Sequence, residues 1–425
     1  MIKSTFLAAL ENAVLLLGKA AALFLFAWLV GPAAQGAFTL FLSAFALITT
    51  VSIFGLDTSN NFFGAKALSG RRRAALFGNS LLLALPFSAI CVTLMLGLRF
   101  FTNILGELSD TLFILLLIDA PLGLLFLATG SLLYGANRFG VRLAGTAFHM
   151  LVFLAGLGIE AGSGTLSAEA GMFWWSIGLG LTTLFWLVIC WYDSEGLPFA
   201  HIPTFKRQMR YALRSYPYFM MSVANFRLDN FIVAGLLGLP ALGIYSVAVA
   251  AVEVFLYLPR SLVNATLTHQ ASSKTPSGAK VIRPLLGVLI AILPIALLAP
   301  PAGVLILFSS EFTPAATTTV LLLPGIYAMA LGAVGSFYLF ARARTALASK
   351  AAALGAVATL LSNFALIPLL GIHGAAIATS LSYGTFCLYV LRAIAREDNV
   401  SLLSLIRPDW AVLTYLRARL ARSHT

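Results

Sequence analysis

The sequence predicts an all-α polytopic membrane protein. About 12 transmembrane helices form two six-helix bundles, and both termini lie in the cytoplasm. Three observations predict this. Hydrophobic residues make up 60% of the 425-residue chain, charged residues 10%, and the mean hydropathy is +0.95. A water-soluble chain cannot bury that much apolar surface. Apolar segments of about 20 residues, the length that crosses a bilayer core, recur at 8–30, 37–57, 75–98, 111–134, 143–160, 171–192, 215–237, 241–264, 284–309, 316–340, 351–370 and 372–393. The positive charge alternates: 23 of the 27 Lys and Arg lie near the termini or in every second gap between those segments. The gaps between these (31–36, 99–110, 161–170, 238–240, 310–315 and 371) hold only Arg99. The positive-inside rule then puts the basic loops and both termini on the cytoplasmic side.

The first segment carries Glu11, Asn12 and Lys19, which a signal-peptide core would not tolerate, so it is predicted to stay as a membrane helix. No gap is long enough for a soluble domain, and the longest external one, 99–110, has 12 residues. The stretch Phe205–Arg214 interleaves basic and apolar residues and predicts a short helix on the inner membrane face. Leu402–Leu420 predicts the same, with Arg407, Arg417 and Arg419 against Leu403, Leu405, Trp410, Leu413 and Leu416. The predicted organisation is an N-terminal bundle at 1–192, a cytoplasmic interfacial linker at 193–214, a C-terminal bundle at 215–393 and an amphipathic cytoplasmic tail at 394–425. The net charge of +12 is spread over short loops, which predicts contact with anionic lipid headgroups and no nucleic-acid partner. Cys91, Cys190 and Cys387 lie inside apolar segments without ligand spacing and are expected to pack as small hydrophobes.

The chain repeats internally. Gly31-Pro32-Ala33-Ala34-Gln35-Gly36 turns segment one into segment two, and Gly238-Leu239-Pro240-Ala241-Leu242-Gly243 turns seven into eight, 207 residues later. Each turn follows a helix with a basic residue inside it: Lys19 lies 12 residues before Gly31, and Arg227 lies 11 before Gly238. Pro121 and Pro324 interrupt segments four and ten, 203 residues apart. Arg138 and Arg142 recur as Arg342 and Arg344 at offsets of 204 and 202. Two halves with the same topology imply parallel repeats. Transporters with this design place their site near the midplane.

Ionisable groups within membrane helices are costly unless they face protein or water, so each is a candidate functional residue. Lys19, Arg227 and Arg260 form the candidate cationic, substrate-binding set; Asp119, Asp229 and Glu253 are candidates for ion coupling or gating. Arg227 and Asp229 are two residues apart, about 200° around a helix, so they cannot share a face. Glu253 and Arg260, seven apart, share one, and Arg260 lies near enough to the inner end to snorkel. Asp119 precedes Pro121, where a helix can bend. His149 reads as a satisfied interior histidine, and Glu11 as a group solvated at the inner interface. There is no Walker motif, no metal-ligand spacing and no Gly-x-Ser-x-Gly, so no cofactor is expected beyond a possible coupling Na+ or H+.

Several stretches resemble the Wzx-type polysaccharide-export flippases, relatives of MATE-type antiporters and lipid II flippases. They are Leu29-Val30-Gly31-Pro32 with Gly36; Phe205–Arg214; Arg227-Leu228-Asp229-Asn230 leading to Gly243–Ala248; and Asn363–Pro368 followed by Gly371–Thr379. The resemblance implies a MATE-like fold around a basic cavity in a bacterial inner membrane and a non-enzymatic function. It also implies a cargo of undecaprenyl-diphosphate-linked oligosaccharide flipped from the inner to the outer leaflet by alternating access, for O-antigen or exopolysaccharide synthesis. A polysaccharide polymerase and a chain-length regulator are the partners it implies. A diphosphate crossing a low-dielectric region needs cationic partners, which Lys19 and Arg227 can supply. A MATE-type multidrug antiporter is the alternative, although a cationic drug wants carboxylates and aromatics, and here acids and bases balance. A ligase or polymerase of the same pathway fits the short external loops poorly.

Overall fold

The computed structural model describes residues 2–67, 69–102, 105–256, 277–342 and 344–410. Its regular secondary structure is helical throughout these residues. In chain order the helices are α1 (Ile2–Leu29), α2 (Pro32–Ser52), the short α3 (Leu56–Gly64), α4 (Gly70–Thr102), α5 (Asp110–Gly135), α6 (Phe139–Ser163), α7 (Ala168–Tyr192), α8 (Ile202–Glu253), α9 (Ala279–Ala291), α10 (Leu293–Leu307), α11 (Thr313–Ala341), α12 (Thr345–Glu397) and the single turn α13 (Leu402–Leu405).

Among the described residues nine helices are long and apolar enough to cross a membrane, and α9 with α10, bent by 51°, can make a tenth. Two of the nine cover 41 and 53 residues, too long for one crossing. Each is broken by a non-helical glycine, Gly238 in α8 (φ 83, ψ 173) and Gly371 in α12 (φ 60, ψ −137). Taking each as two, with α9 and α10 as one bent pair, gives a stretch for each of the twelve predicted segments among the described residues, the eighth (241–264) described only as far as Leu256. Large apolar side chains cover the outer faces, with Leu85 76% and Leu369 77% exposed, which suits lipid and not water. The three cysteines are buried and free, as their apolar settings predict.

One departure from the predicted segments is α3. Phe54 (φ 49) and Gly55 (φ 75) turn the chain after Ser52, and a separate nine-residue helix follows. Its polar residues are used inside: Ser59 and Asn60 are both fully buried.

The chain forms two compact units. The first comprises Met1–Val223 with Leu237–Gly243, the second Ala224–Leu236 with Ile244–Thr425. The division falls inside α8, so 193–214 and the start of the seventh segment pack with the first unit. The basic stretch Phe205–Arg214 is the opening of α8 and not a separate surface helix. Its Gln208 is fully buried, donating from Nε2 to Asn60 Oδ1 at 2.9 Å and accepting from Asn79 Nδ2 at 2.8 Å. Tyr216 donates to the Val51 carbonyl at 2.7 Å. The described part of the tail is likewise tied down: Arg283 Nε donates to the Ser404 carbonyl at 2.6 Å, and Asp409 N–H to the Arg283 carbonyl at 3.0 Å. Residues 411–425 of the predicted amphipathic tail lie outside the described residues.

The two repeated turns share a backbone conformation. Gly31 (φ 101, ψ −174) and Gly238 (φ 83, ψ 173) occupy a region that is essentially glycine-only. The second glycines meet within the first unit. A Cβ on Gly36 would stand 1.9 Å from the Leu239 carbonyl oxygen, and one on Gly243 would stand 1.9 Å from that of Pro32. The contact is reciprocal, as expected where two copies of one motif pack on each other.

Candidate functional site

In the first unit, α1 carries Lys19 as an exposed side chain whose charge acts on the His149 ring of α6. The ring packs against Trp175 of α7, centroids 4.4 Å apart. His149 Nε2 is buried with no hydrogen-bond partner among the described residues, so the satisfied histidine of the sequence prediction is not what that nitrogen shows. Asp119 is fully buried in α5, two residues before its Pro121. Ser176 of α7 donates to Asp119 Oδ2 at 2.9 Å, and Oδ1 has no partner among the described residues.

Glu11 departs from the sequence expectation. It is 2% exposed and holds an ion pair with Arg142, a residue the charge pattern counts among the loop cations. Arg142 Nη2 donates to Glu11 Oε1 at 2.7 Å and Nε to the same oxygen at 3.1 Å. Tyr134 and Thr146 donate to the carboxylate at 3.1 Å each. The guanidinium lies 3.9 Å over the Tyr134 ring and 5.1 Å from the Trp186 ring. A carboxylate with this many donors, joined to a fork-shaped cation, is a clamp of α1 onto α5 and α6 and not a solvated interface group.

In the second unit, the α8 segment 224–236 presents two polar layers to α12. Asp229, 4% exposed, accepts from the fully buried Tyr245 hydroxyl at 2.7 Å, and Tyr245 lies 3.0 Å from Thr379 Oγ1. One helical turn earlier, Asn225 Oδ1 accepts from Thr359 at 2.7 Å and Ser382 at 2.8 Å, and these two hydroxyls are 2.6 Å apart. Arg227 is half-buried and forms no ion pair with Asp229, though its charge acts on Asp229 and Tyr383. Glu253 is half-buried at the end of α8 and acts on the same two groups. Arg260 lies outside the described residues.

The charge-based candidates omit what surrounds Asp229: Tyr245 on its carboxylate with Thr379 behind it, and one turn away the separate cluster of Asn225, Thr359 and Ser382. A sequence signal for them exists. Asn225 and Asp229 are four apart within an apolar span, and so are Thr379 and Tyr383, the spacing of one helix face. The layers offer carboxylate, amide and hydroxyl oxygens, the donor set hard cations prefer. No cluster of three or more His, Cys, Asp or Glu suited to a metal occurs among the described residues.

Solved structures share this fold. The lipid II flippase MurJ in an inward closed conformation matches with a TM-score of 0.66 and 16% identity, covering 96% of this chain and 90% of that one. A multidrug resistance MATE family transporter of the MOP superfamily, inward-facing, matches with a TM-score of 0.73 and 12% identity over 91% of this chain and 96% of that one. A MOP superfamily transporter from Pyrococcus furiosus, whose binding pocket is described as reversed in polarity with a suggested different function, matches with a TM-score of 0.60 and 11% identity, covering 94% and 95%. Neither a family model nor a curated protein sequence matches. The chain is a multi-pass, all-α membrane protein with the fold of the MATE and MurJ transporters.

Proposed function

We propose that this protein is a Wzx-type flippase that moves undecaprenyl-diphosphate-linked oligosaccharide units from the cytoplasmic to the periplasmic leaflet of a bacterial inner membrane. Alternating access is the mechanism, and O-antigen or exopolysaccharide synthesis is the purpose. The observation that carries the proposal is the pair of basic residues, Lys19 and Arg227, each inside a membrane span and each 11 or 12 residues before one of the repeated glycine turns. Intramembrane cations are tolerated where they meet an anion, and a lipid-linked diphosphate is an anion that must cross the hydrocarbon. The ammonium of Lys19 acts as a compact point charge and the guanidinium of Arg227 as a two-pronged donor to phosphate oxygens. A polysaccharide polymerase and a chain-length regulator would receive the product.

The same chemistry assigns coupling to Asp229 and Asp119. The oxygen-lined layers around Asp229 suit Na+ or H+, and Oδ1 of Asp119, with no donor among the described residues, is an acceptor where a proton or cation would be received. Glu253 adds charge beside Asp229.

Replacing Lys19 and Arg227 singly with alanine is expected to lower surface polysaccharide at least about tenfold, the loss of one charge-assisted contact or more. Membrane levels of the protein should not change; normal polysaccharide from both variants would refute the assigned cations. Asp229→Asn retains the shape and the Tyr245 contact but removes the charge. It is expected to leave the protein folded and to abolish the response of transport to an imposed Na+ or H+ gradient. A gradient response equal to wild type would remove Asp229 from the coupling role.

The drug-antiporter reading draws on one observation, two buried carboxylates, Asp119 and Asp229, that form no ion pair among the described residues. It predicts raised resistance to cationic drugs on overexpression, with surface polysaccharide unaffected by deletion.

A further inference from the structure

At the end of the spans, on the face that the charge pattern makes cytoplasmic, the first unit has a cavity of about 600 Å³. It is walled by the turn after α3, the start of α4 and the start of α8. Its charged and polar lining includes Lys66, Arg71, Arg72 and Arg207, with His201 and Thr204 beside them, and no carboxylate lines it. None of the four cations forms an ion pair among the described residues. Lys66 rests its ammonium 3.9 Å over the Phe62 ring. Glu195 stands against Gly70 at the foot of α4 and pairs with none of the four.

Four like charges around one cavity repel one another, and the first turns of α4 and α8 contain no acidic residue to offset them. The helix dipoles add to the positive potential there. Loose surface lysines and arginines would simply spread into water, but here the scaffold holds their helices in place. Asn79 Nδ2 donates to Gln208 Oε1 at 2.8 Å, and Asn79 Oδ1 accepts the His201 N–H at 2.9 Å. Gln208 donates on to Asn60, whose Nδ2 reaches Ser80 Oγ at 3.0 Å. These buried amides lock the start of α8 to α3 and α4. The ring of His201 is oriented too: its Nδ1 accepts from Thr204 N–H at 3.3 Å, which leaves Nε2 as a donor.

We propose that this cavity is a binding site for a phosphate-bearing anion, of the diphosphate or bis-phosphate class. Two guanidinium groups from α4 and one from α8 would fork onto phosphate oxygens, with Lys66 as an added point charge. The position at the inner membrane surface suits a lipid headgroup, and the same chemistry would accept a soluble diphosphate. The site is separate from Lys19 and Arg227 and does not rest on the flippase assignment.

The test uses full-length protein in phosphatidylcholine nanodiscs, wild type against R71Q/R72Q/R207Q. These side chains are all exposed, so the variant is expected to keep its melting temperature and elution volume. Two probes separate the sources: inorganic pyrophosphate followed by 31P line broadening, and cardiolipin in the disc followed by native mass spectrometry of retained lipid. The expected result is a loss of affinity of about tenfold or more in the variant for at least one probe. Loss for pyrophosphate assigns recognition to the phosphates alone; loss confined to cardiolipin assigns a membrane-borne headgroup. Equal binding by wild type and variant for both probes would overturn the proposal. In a Lys19→Ala/Arg227→Ala background the R71Q/R72Q/R207Q change should still cost the same affinity, whatever the background itself binds, so this site and the transport assignment can fail independently.

Discussion

Replacing Arg142 with alanine is expected to destabilise the protein by about 3–5 kcal/mol, the cost of leaving a buried charge without its partner. Glu11 is 2% exposed and receives two of its short contacts from that guanidinium. Alanine also removes a cation from the faces of Tyr134 and Trp186. Thermal unfolding in detergent would report the loss. The double variant Glu11→Ala with Arg142→Ala should be less destabilised than the sum of the two single changes, because neither charge is then stranded. Arg142→Lys keeps the charge but not the fork and should fall between wild type and alanine. An unchanged melting temperature for Arg142→Ala would show that the clamp contributes nothing to folding.

Gly36→Ala and Gly243→Ala are expected to be the most damaging of the small substitutions. Each new Cβ would sit 1.9 Å from a backbone carbonyl oxygen, Leu239 for the first and Pro32 for the second, and backbone cannot rotate aside as a side chain can. The two turns must part, at a cost of about 1–3 kcal/mol or more for overpacking. Gly31→Ala and Gly238→Ala act differently, by forcing a side chain into a glycine-only conformation, about 1–3 kcal/mol each. The control is Gly158→Ala in α6, where a Cβ meets nothing within 4 Å. That change should be neutral or stabilising by about 0.5–1 kcal/mol, since alanine favours a helix interior. Expression and melting temperature of the five variants would separate crowding from strain. Gly36→Ala as stable as Gly158→Ala would contradict the reciprocal contact.

Much of the fold is legible in the sequence because lipid imposes a coarse and repeated requirement: about 20 apolar residues per crossing. Segment boundaries such as 111–134 and 171–192 fall within a few residues of α5 and α7. The glycine repeat was also legible, since Gly31 and Gly238 need a conformation that other residues resist. Three things were hidden. Helix α3 is polar and short, and lacks the apolar length that marks a span. The docking of Phe205–Arg214 depends on Gln208 reaching Asn60 and Asn79, residues more than 120 positions away, which no local pattern encodes. Glu11 looks solvated in sequence because its partners Tyr134, Arg142 and Thr146 come from two other helices.

For the candidate site, charge singled out Asp229 but not its setting. Formal charge is easy to see in an apolar stretch; hydroxyls and amides are not, because Ser, Thr and Asn also occur in spans with their hydroxyl or amide groups bonded to the preceding turn. Thr49 and Thr183 do this, donating to Phe45 and Leu179. What distinguishes Asn225, Thr359 and Ser382 is that they bond to one another across helices, a property of the packing and not of the local sequence.

The most direct test of the central claim is deletion of the gene, scored for surface polysaccharide and for lipid-linked oligosaccharide in the inner membrane. The flippase account predicts lost polymer with intact lipid-linked units accumulating on the cytoplasmic leaflet, restored by the wild-type gene and not by Lys19→Ala or Arg227→Ala. Unchanged polysaccharide together with altered susceptibility to cationic drugs would contradict it and favour the antiporter.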